Sequence, residues 1–150
     1  MPNVLLLLAA LAYAQEDPPG RDAAPASDPQ KTVGEWLGLF EAEDGPDRLR
    51  AARVLKSQLR HALRVEAHGR PGTLAHDDAR SLLVELEDRL PGAARVALTY
   101  PNTVALAAEM LAMLEIEDAR PDLERALAAE QRPPVVKRIA GALDRLNSSP

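Results

Sequence analysis

Apolar positions along the chain recur at spacings of three and four, the period of a helix face, and breaker residues separate one run from the next. The densest run is Thr103-Val104-Ala105-Leu106-Ala107-Ala108-Glu109-Met110-Leu111-Ala112-Met113-Leu114. It holds strong helix formers, no Gly, no Pro and a single charge, so it predicts a helix that is apolar nearly all round. Such a helix must be covered on most sides, which places it in the middle of a bundle or stack. It is too short to span a bilayer. The line Asn102, Ala105, Glu109, Ala112 carries only small or polar groups at helical spacing, and is expected to face water or a partner.

The flanking runs read the same way. Thr32, with Glu35 at the third helical position, predicts a capped helix from Val33 that carries Trp36, Leu37, Leu39 and Phe40. Trp36 closes one end of the core or, alternatively, anchors a partner. A long helix is expected from Asp47 to about Ala67, with Leu49, Ala52, Leu55, Leu59, Ala62 and Leu63 as its core stripe. Breakers from His68 to Gly72 end it. The next helix is expected to start at His76 or Asp77, to bury Leu82, Leu83, Leu86 and Leu90, and to stop at Pro91-Gly92. A short extra turn over Ala93 to Leu98 precedes the central helix, which Asn102 or Thr103 caps.

After a corner at Glu115 to Asp118, a helix is expected over Ala119 to Glu130, with Pro121 in its first turn and Leu123, Ala126 and Leu127 inward. Arg132-Pro133-Pro134 makes the last corner. The final helix, Val135 to Leu146, has Val135, Ile139, Ala142, Leu143 and Leu146 on one side and Lys137, Arg138, Asp144 and Arg145 on the other. The expected architecture is six or seven helices over residues 33–147, followed by a polar tail at 148–150.

Composition sharpens the fold class. Hydrophobic residues are 46% of the 150, aromatics only 3%, so the core is built from Leu, Ala and Val in an all-α domain. A net charge of -5 argues against nucleic acid as the partner. The absence of cysteine excludes disulfides, thiol nucleophiles, cysteine zinc sites and a lipidated Cys anchor.

The first residues carry a separate signal. Val4 to Leu11 is a short apolar run followed by Ala12-Tyr13-Ala14 and then Gln15-Glu16-Asp17-Pro18-Pro19, which fits a signal peptide over residues 1–14 cleaved after Ala14. Met1-Pro2-Asn3 lacks the usual Lys or Arg, and an uncleaved anchor or a plain N-terminal helix is the alternative. Residues 15–32, rich in Pro, Ala and Asp, read as a disordered linker that spaces or tethers the domain. The mature chain is then expected to be periplasmic or secreted, touching the membrane only through the signal peptide before cleavage.

The helices also repeat. Asp78-Ala79-Arg80 recurs as Asp118-Ala119-Arg120, and each copy opens a helix followed by a partner helix. Those partners share an Ala-rich segment ending in Leu, Ala107-Ala108-Glu109-Met110-Leu111 and Ile139-Ala140-Gly141-Ala142-Leu143, with Ala51 to Leu55 as a third instance. Helix pairs at this period indicate a solenoid. The stretch Glu117-Asp118-Ala119-Arg120-Pro121 through Leu127, followed by Val136-Lys137-Arg138-Ile139-Ala140-Gly141-Ala142-Leu143 to Leu146, resembles the HEAT repeats, specifically the short bacterial HEAT-like class. The likeness covers Thr103 to Leu146; before that only the helix-pair rhythm and Ala51 to Leu55 carry it. An armadillo-like stack or an irregular α-bundle is the alternative. The resemblance implies a short right-handed α-solenoid of antiparallel pairs that binds partners along its inner face, with no chemistry of its own.

Candidate chemistry is sparse. His61 and His68 are seven apart and His76 lies beyond the loop, without the i, i+4 spacing of a helical zinc site. No nucleophile elbow, triad order or phosphate loop is present, and paired carboxylates such as Glu85 with Asp88 fall on polar faces. No catalytic residue, metal ligand or cofactor is assigned. The sharpest feature is a basic stripe, Arg53, Lys56, Arg60 and Arg64, whose sign opposes that of the chain. Either it pairs with the acidic next helix, through Asp77, Asp78, Glu85, Glu87 and Asp88, or it recognises an acidic partner. With Glu109, these four residues are the candidate partner-binding set. The expected function is a non-enzymatic scaffold or accessory module of a bacterial envelope assembly. The alternative is a secreted enzyme or metal-binding protein using His61, His68 and His76.

Overall fold

The computed structural model describes residues 31–42 and 45–148, and every regular element among them is helical. The expected signal peptide and nearly all of the expected linker lie outside the described residues, as do residues 149–150. Six α-helices follow in order: α1 Val33–Glu41, α2 Gly45–His68, α3 Leu74–Ala97, α4 Val104–Met113, α5 Arg120–Ala129 and α6 Pro133–Ser148. A 3-10 turn, Glu117–Ala119, leads into α5.

Local chemistry accounts for the ends. Thr32 and Glu35 form the reciprocal cap of α1: the Thr32 hydroxyl accepts the Glu35 N–H at 3.3 Å and the Thr32 N–H donates to the Glu35 carboxylate at 2.6 Å. At the end of α2 the Gly69 N–H reaches the Val65 carbonyl at 2.6 Å, and a Cβ at Gly69 would collide with that same oxygen, so the turn requires glycine. Thr73 caps α3 by accepting the His76 N–H, so that helix starts at Leu74, two residues before the expected His76. The prolines at 121, 133 and 134 all sit in first turns, where the N–H that proline lacks would have no intrahelical acceptor.

Two expectations about α3 and α4 are corrected. Pro91-Gly92 does not stop α3, which continues to Ala97. Pro91 forfeits one backbone hydrogen bond, but the turns beyond it bury Ala93, Ala94 and Ala97, and that packing outweighs the loss. Thr103 is the N-cap residue of α4 but does not cap it with its side chain. Its buried hydroxyl instead donates to the Ala97 carbonyl at 3.0 Å, closing the end of α3.

α4 is the centre of the molecule. Seven of its ten residues are buried, and it packs against α2, α3 and α6. α1 lies across α2 and α3, where Trp36, Leu37 and Phe40 are at most 1% exposed, and α5 lies on α6. Buried alanines, among them Ala51 and Ala52 on α2 and Ala107 and Ala108 on α4, let the backbones approach closely. Polar ties pin the corners. The Arg48 guanidinium, buried, lies 3.5 Å from the Tyr100 ring centroid and donates to the Ala42 carbonyl. Asn102 donates to the Gly45 carbonyl at 3.1 Å, and Arg120 to the Leu146 carbonyl at 3.3 Å.

Candidate functional site

The basic stripe is a helix-surface pattern by origin. On α2, Arg53, Lys56, Arg60 and Arg64 follow one another at three and four residues beside the buried Ala52, Leu55, Leu59 and Ala62. α4 carries α6 alongside, so Lys137, Arg138 and Arg145 of α6 meet Lys56 and Arg60 of α2 around a groove of about 390 Å³. Its floor is Glu109 and Ala112 of α4 with Gly141 and Ala142 of α6. A second hollow of about 350 Å³ continues it past Arg60, Ala112 and Arg145 to Glu115 and Met113.

Glu109 is the hub of this groove. Arg138 donates through Nε and Nη2 to its two carboxylate oxygens, both at 2.7 Å, and Lys56 Nζ lies 2.6 Å from Oε2. One carboxylate on α4 thereby clasps α2 to α6. Burial pushes the Glu109 carboxyl up, but the hydrogen bonds and charges of Arg138 and Lys56 together outweigh it and hold the group below the usual carboxylate range. The same contact raises the Arg138 guanidinium against its own burial.

These placements revise three expectations. The line Asn102, Ala105, Glu109, Ala112 is not an open face: Ala105 and Ala112 are buried at 6% and 1% exposure, and Asn102 is tied to Gly45. The approach of α2 and α6 narrows it to the groove floor at Glu109 and Ala112. The acidic residues of α3 do not serve the stripe, because Asp77, Asp78, Glu85, Glu87 and Asp88 are all exposed and form no ion pair with it. The stripe's carboxylate is Glu109, which sequence spacing could not connect to it across 53 residues of chain. Arg138 does not stand on the far side of α6 but reaches over α4.

The groove set is thus partly the expected one. Lys56, Arg60 and Glu109 come together; Arg53 and Arg64 flank them on α2, exposed and with no ion pair or hydrogen bond among the described residues. Lys137, Arg138 and Arg145 were legible only as a polar face of the last helix. Around the groove, five cationic side chains surround Glu109, with Glu115 the further carboxylate in the adjoining hollow.

The histidines do not converge. His61 and His68 are exposed on α2, and His76 lies 4.0 Å from the Asp77 carboxylate on α3. Among the described residues no group of three or more His, Asp or Glu is placed to hold a metal. No described helix is long and apolar enough to cross a membrane.

A separate pocket of about 500 Å³ opens between the end of α3, the Thr99 to Pro101 turn and α5. Nothing in the hydrophobic pattern pointed to it, since its walls are made by residues from two separate segments, 95–104 and 122–132. No family model matches the chain, and no characterised protein or solved structure is significantly similar to it.

Proposed function

We propose that this chain is a small α-helical repeat module that binds an acidic protein segment in the groove between α2 and α6. The observation that carries the reading is the charge of that groove: five Lys and Arg side chains line it with Glu109, and Glu115 in the adjoining hollow is the other carboxylate, on a chain whose net charge is -5. Glu109 engages Lys56 and Arg138, while Arg53 and Lys137 have no partner among the described residues. A solvated cation loses little by meeting a carboxylate at the groove mouth, and several together give attraction and orientation.

The repeat reading is supported by α2, α4 and α6. α2 and α4 share the small-small-x-x-Leu pattern, α6 has the related Ile139-Ala140-x-x-Leu143, and the three pack in succession, with α1, α3 and α5 preceding them as the first members of three pairs. Stacked HEAT-like pairs of this kind place their second helices along one binding face. The signal-peptide pattern of residues 1–14 supports a role outside the cytoplasm, as an accessory or scaffold of an envelope assembly. The proposed role is non-enzymatic.

A fluorescein-labelled peptide of alternating Glu and Ala tests it by anisotropy with the full chain. Binding is expected to fall as salt rises, and to weaken about tenfold in the Arg53→Ala, Lys137→Ala double variant, with an unchanged melting temperature. Salt-independent binding, or equal binding by wild type and variant, rejects the groove. Tighter binding of a duplex DNA of equal charge rejects the acidic polypeptide as ligand.

A further inference from the structure

From the second pocket we infer a binding site, distinct from the basic groove, for a compact, uncharged, largely apolar small molecule. The cavity of about 500 Å³ lies within the range of small-molecule sites, and its lining is predominantly apolar. Leu98 at the end of α3 and Val104 at the start of α4, both buried, lie deepest. Ala126 and Ala129 of α5 form the opposite wall. Ala126 and Ala129 leave space on α5 that larger side chains would fill, and Arg95 of α3 reaches across it to Asp122.

Those bridges decide what kind of ligand fits. At one end Arg95 of α3 meets Asp118 at 2.5 Å and its Nε lies 3.8 Å from Asp122. At the other, Arg132 donates to the Pro101 carbonyl at 2.7 Å while gripping Glu130 at 2.6 and 2.8 Å. Asp122 lies in the first turn of α5 and Arg132 just beyond its C-terminal end, so the two straps bracket the cleft at opposite ends of that helix. A helix or strand lying along the cleft would run into both straps, whereas a small molecule fits between them.

Charge points the same way. Arg95, Arg125 and Arg132 each already hold a carboxylate, through Asp118, Asp122 and Glu130. An anionic ligand would have to displace a partner that is part of the chain, and a cation would meet carboxylates already neutralised. The polar side chains left without a hydrogen-bond partner among the described residues are those of Tyr100 and Gln131, both neutral. They equip the site for a ligand with one uncharged hydrogen-bonding group on an apolar body.

The probe is N-phenyl-1-naphthylamine, uncharged, titrated into the full-length protein and read by its fluorescence. We expect saturable one-to-one binding that weakens at least about tenfold in Ala129→Leu, an exposed position where the larger side chain fills the cavity without entering the core. Binding should persist in Leu74→Ser, which removes the most exposed large hydrophobic side chain, and in the Arg53→Ala, Lys137→Ala groove variant. Methyl chemical shifts of Leu98 and Val104 in the wild-type protein should move on dye addition, which locates the site without any substitution. Absence of saturable binding overturns the inference, as do loss of binding in Leu74→Ser, equal binding in Ala129→Leu, or shifts confined to other methyls. Tighter binding of the sulfonated analogue 1-anilinonaphthalene-8-sulfonate overturns the uncharged class.

Discussion

Glu109 shows how one side chain can set the relation of three helices. Its carboxylate lies between a guanidinium and an ammonium, each donated by a helix that would otherwise be repelled by the other's charge. Glu109→Gln keeps the shape but loses the charge, and is expected to destabilise the fold by about 1–2 kcal/mol, since the charge-assisted bonds are partly exposed. The pH dependence has a definite sign. Because the folded carboxyl titrates below its ordinary value of 4.5, the clasp contributes its full stability above about pH 5 and loses it as pH falls through the folded value. The difference in melting temperature between wild type and Glu109→Gln should therefore be constant near neutrality and shrink in acid. A difference that grows in acid would contradict the clasp. At Glu130, Arg132 hydrogen bonds hold the carboxyl down to about 2, and because the two residues are near neighbours in one exposed corner the shift reports the strap's geometry more than any stability.

At the level of elements, Pro91 separates what local rules can read from what they cannot. By propensity, Pro91-Gly92 ends a helix, and the sequence gives no local reason for the chain to continue. The reason lies in Ala93, Ala94 and Ala97, which are buried by elements distant in sequence, so tertiary packing overrides the breaker. Pro91→Ala should restore the missing backbone bond and raise stability by about 1–3 kcal/mol, measured by urea unfolding. A loss of stability would mean that α3 needs the proline's geometry. The same division runs through the other helices. The Thr32–Glu35 cap and the first-turn prolines were legible because they act within four residues. The use of Thr103 to bond Ala97 was not, because it depends on how the α3–α4 turn folds back. Likewise, the α2 half of the groove was legible as a stripe, whereas the α6 half and the floor required knowing that α4 brings the two together.

For the whole molecule, the apolar helix expected at the centre is at the centre, with Leu111 fully buried. Leu111→Asp places an unpaired carboxylate there, at several kcal/mol against a total stability of about 5–15 kcal/mol, and should abolish the cooperative melt followed by circular dichroism. Wild-type helicity and melting temperature in that variant would show that α4 is not the hub. The exposed acids of α3 have a consequence of another kind. No α3 residue lines the groove, and α3 carries Asp77, Asp78, Glu85, Glu87 and Asp88 against Arg80, Arg89 and Arg95, whereas α2 carries six Lys and Arg against Asp47 and Glu66, so the negative excess sits on one helix and the positive excess on another. The protein is therefore an electric dipole as well as a net anion. In the field of a negatively charged surface such a body feels a torque that turns the groove inward before contact, while its net charge slows the approach. Orientation and attraction are thus opposed at long range, and dissolved salt relaxes both within about 8 Å at physiological strength.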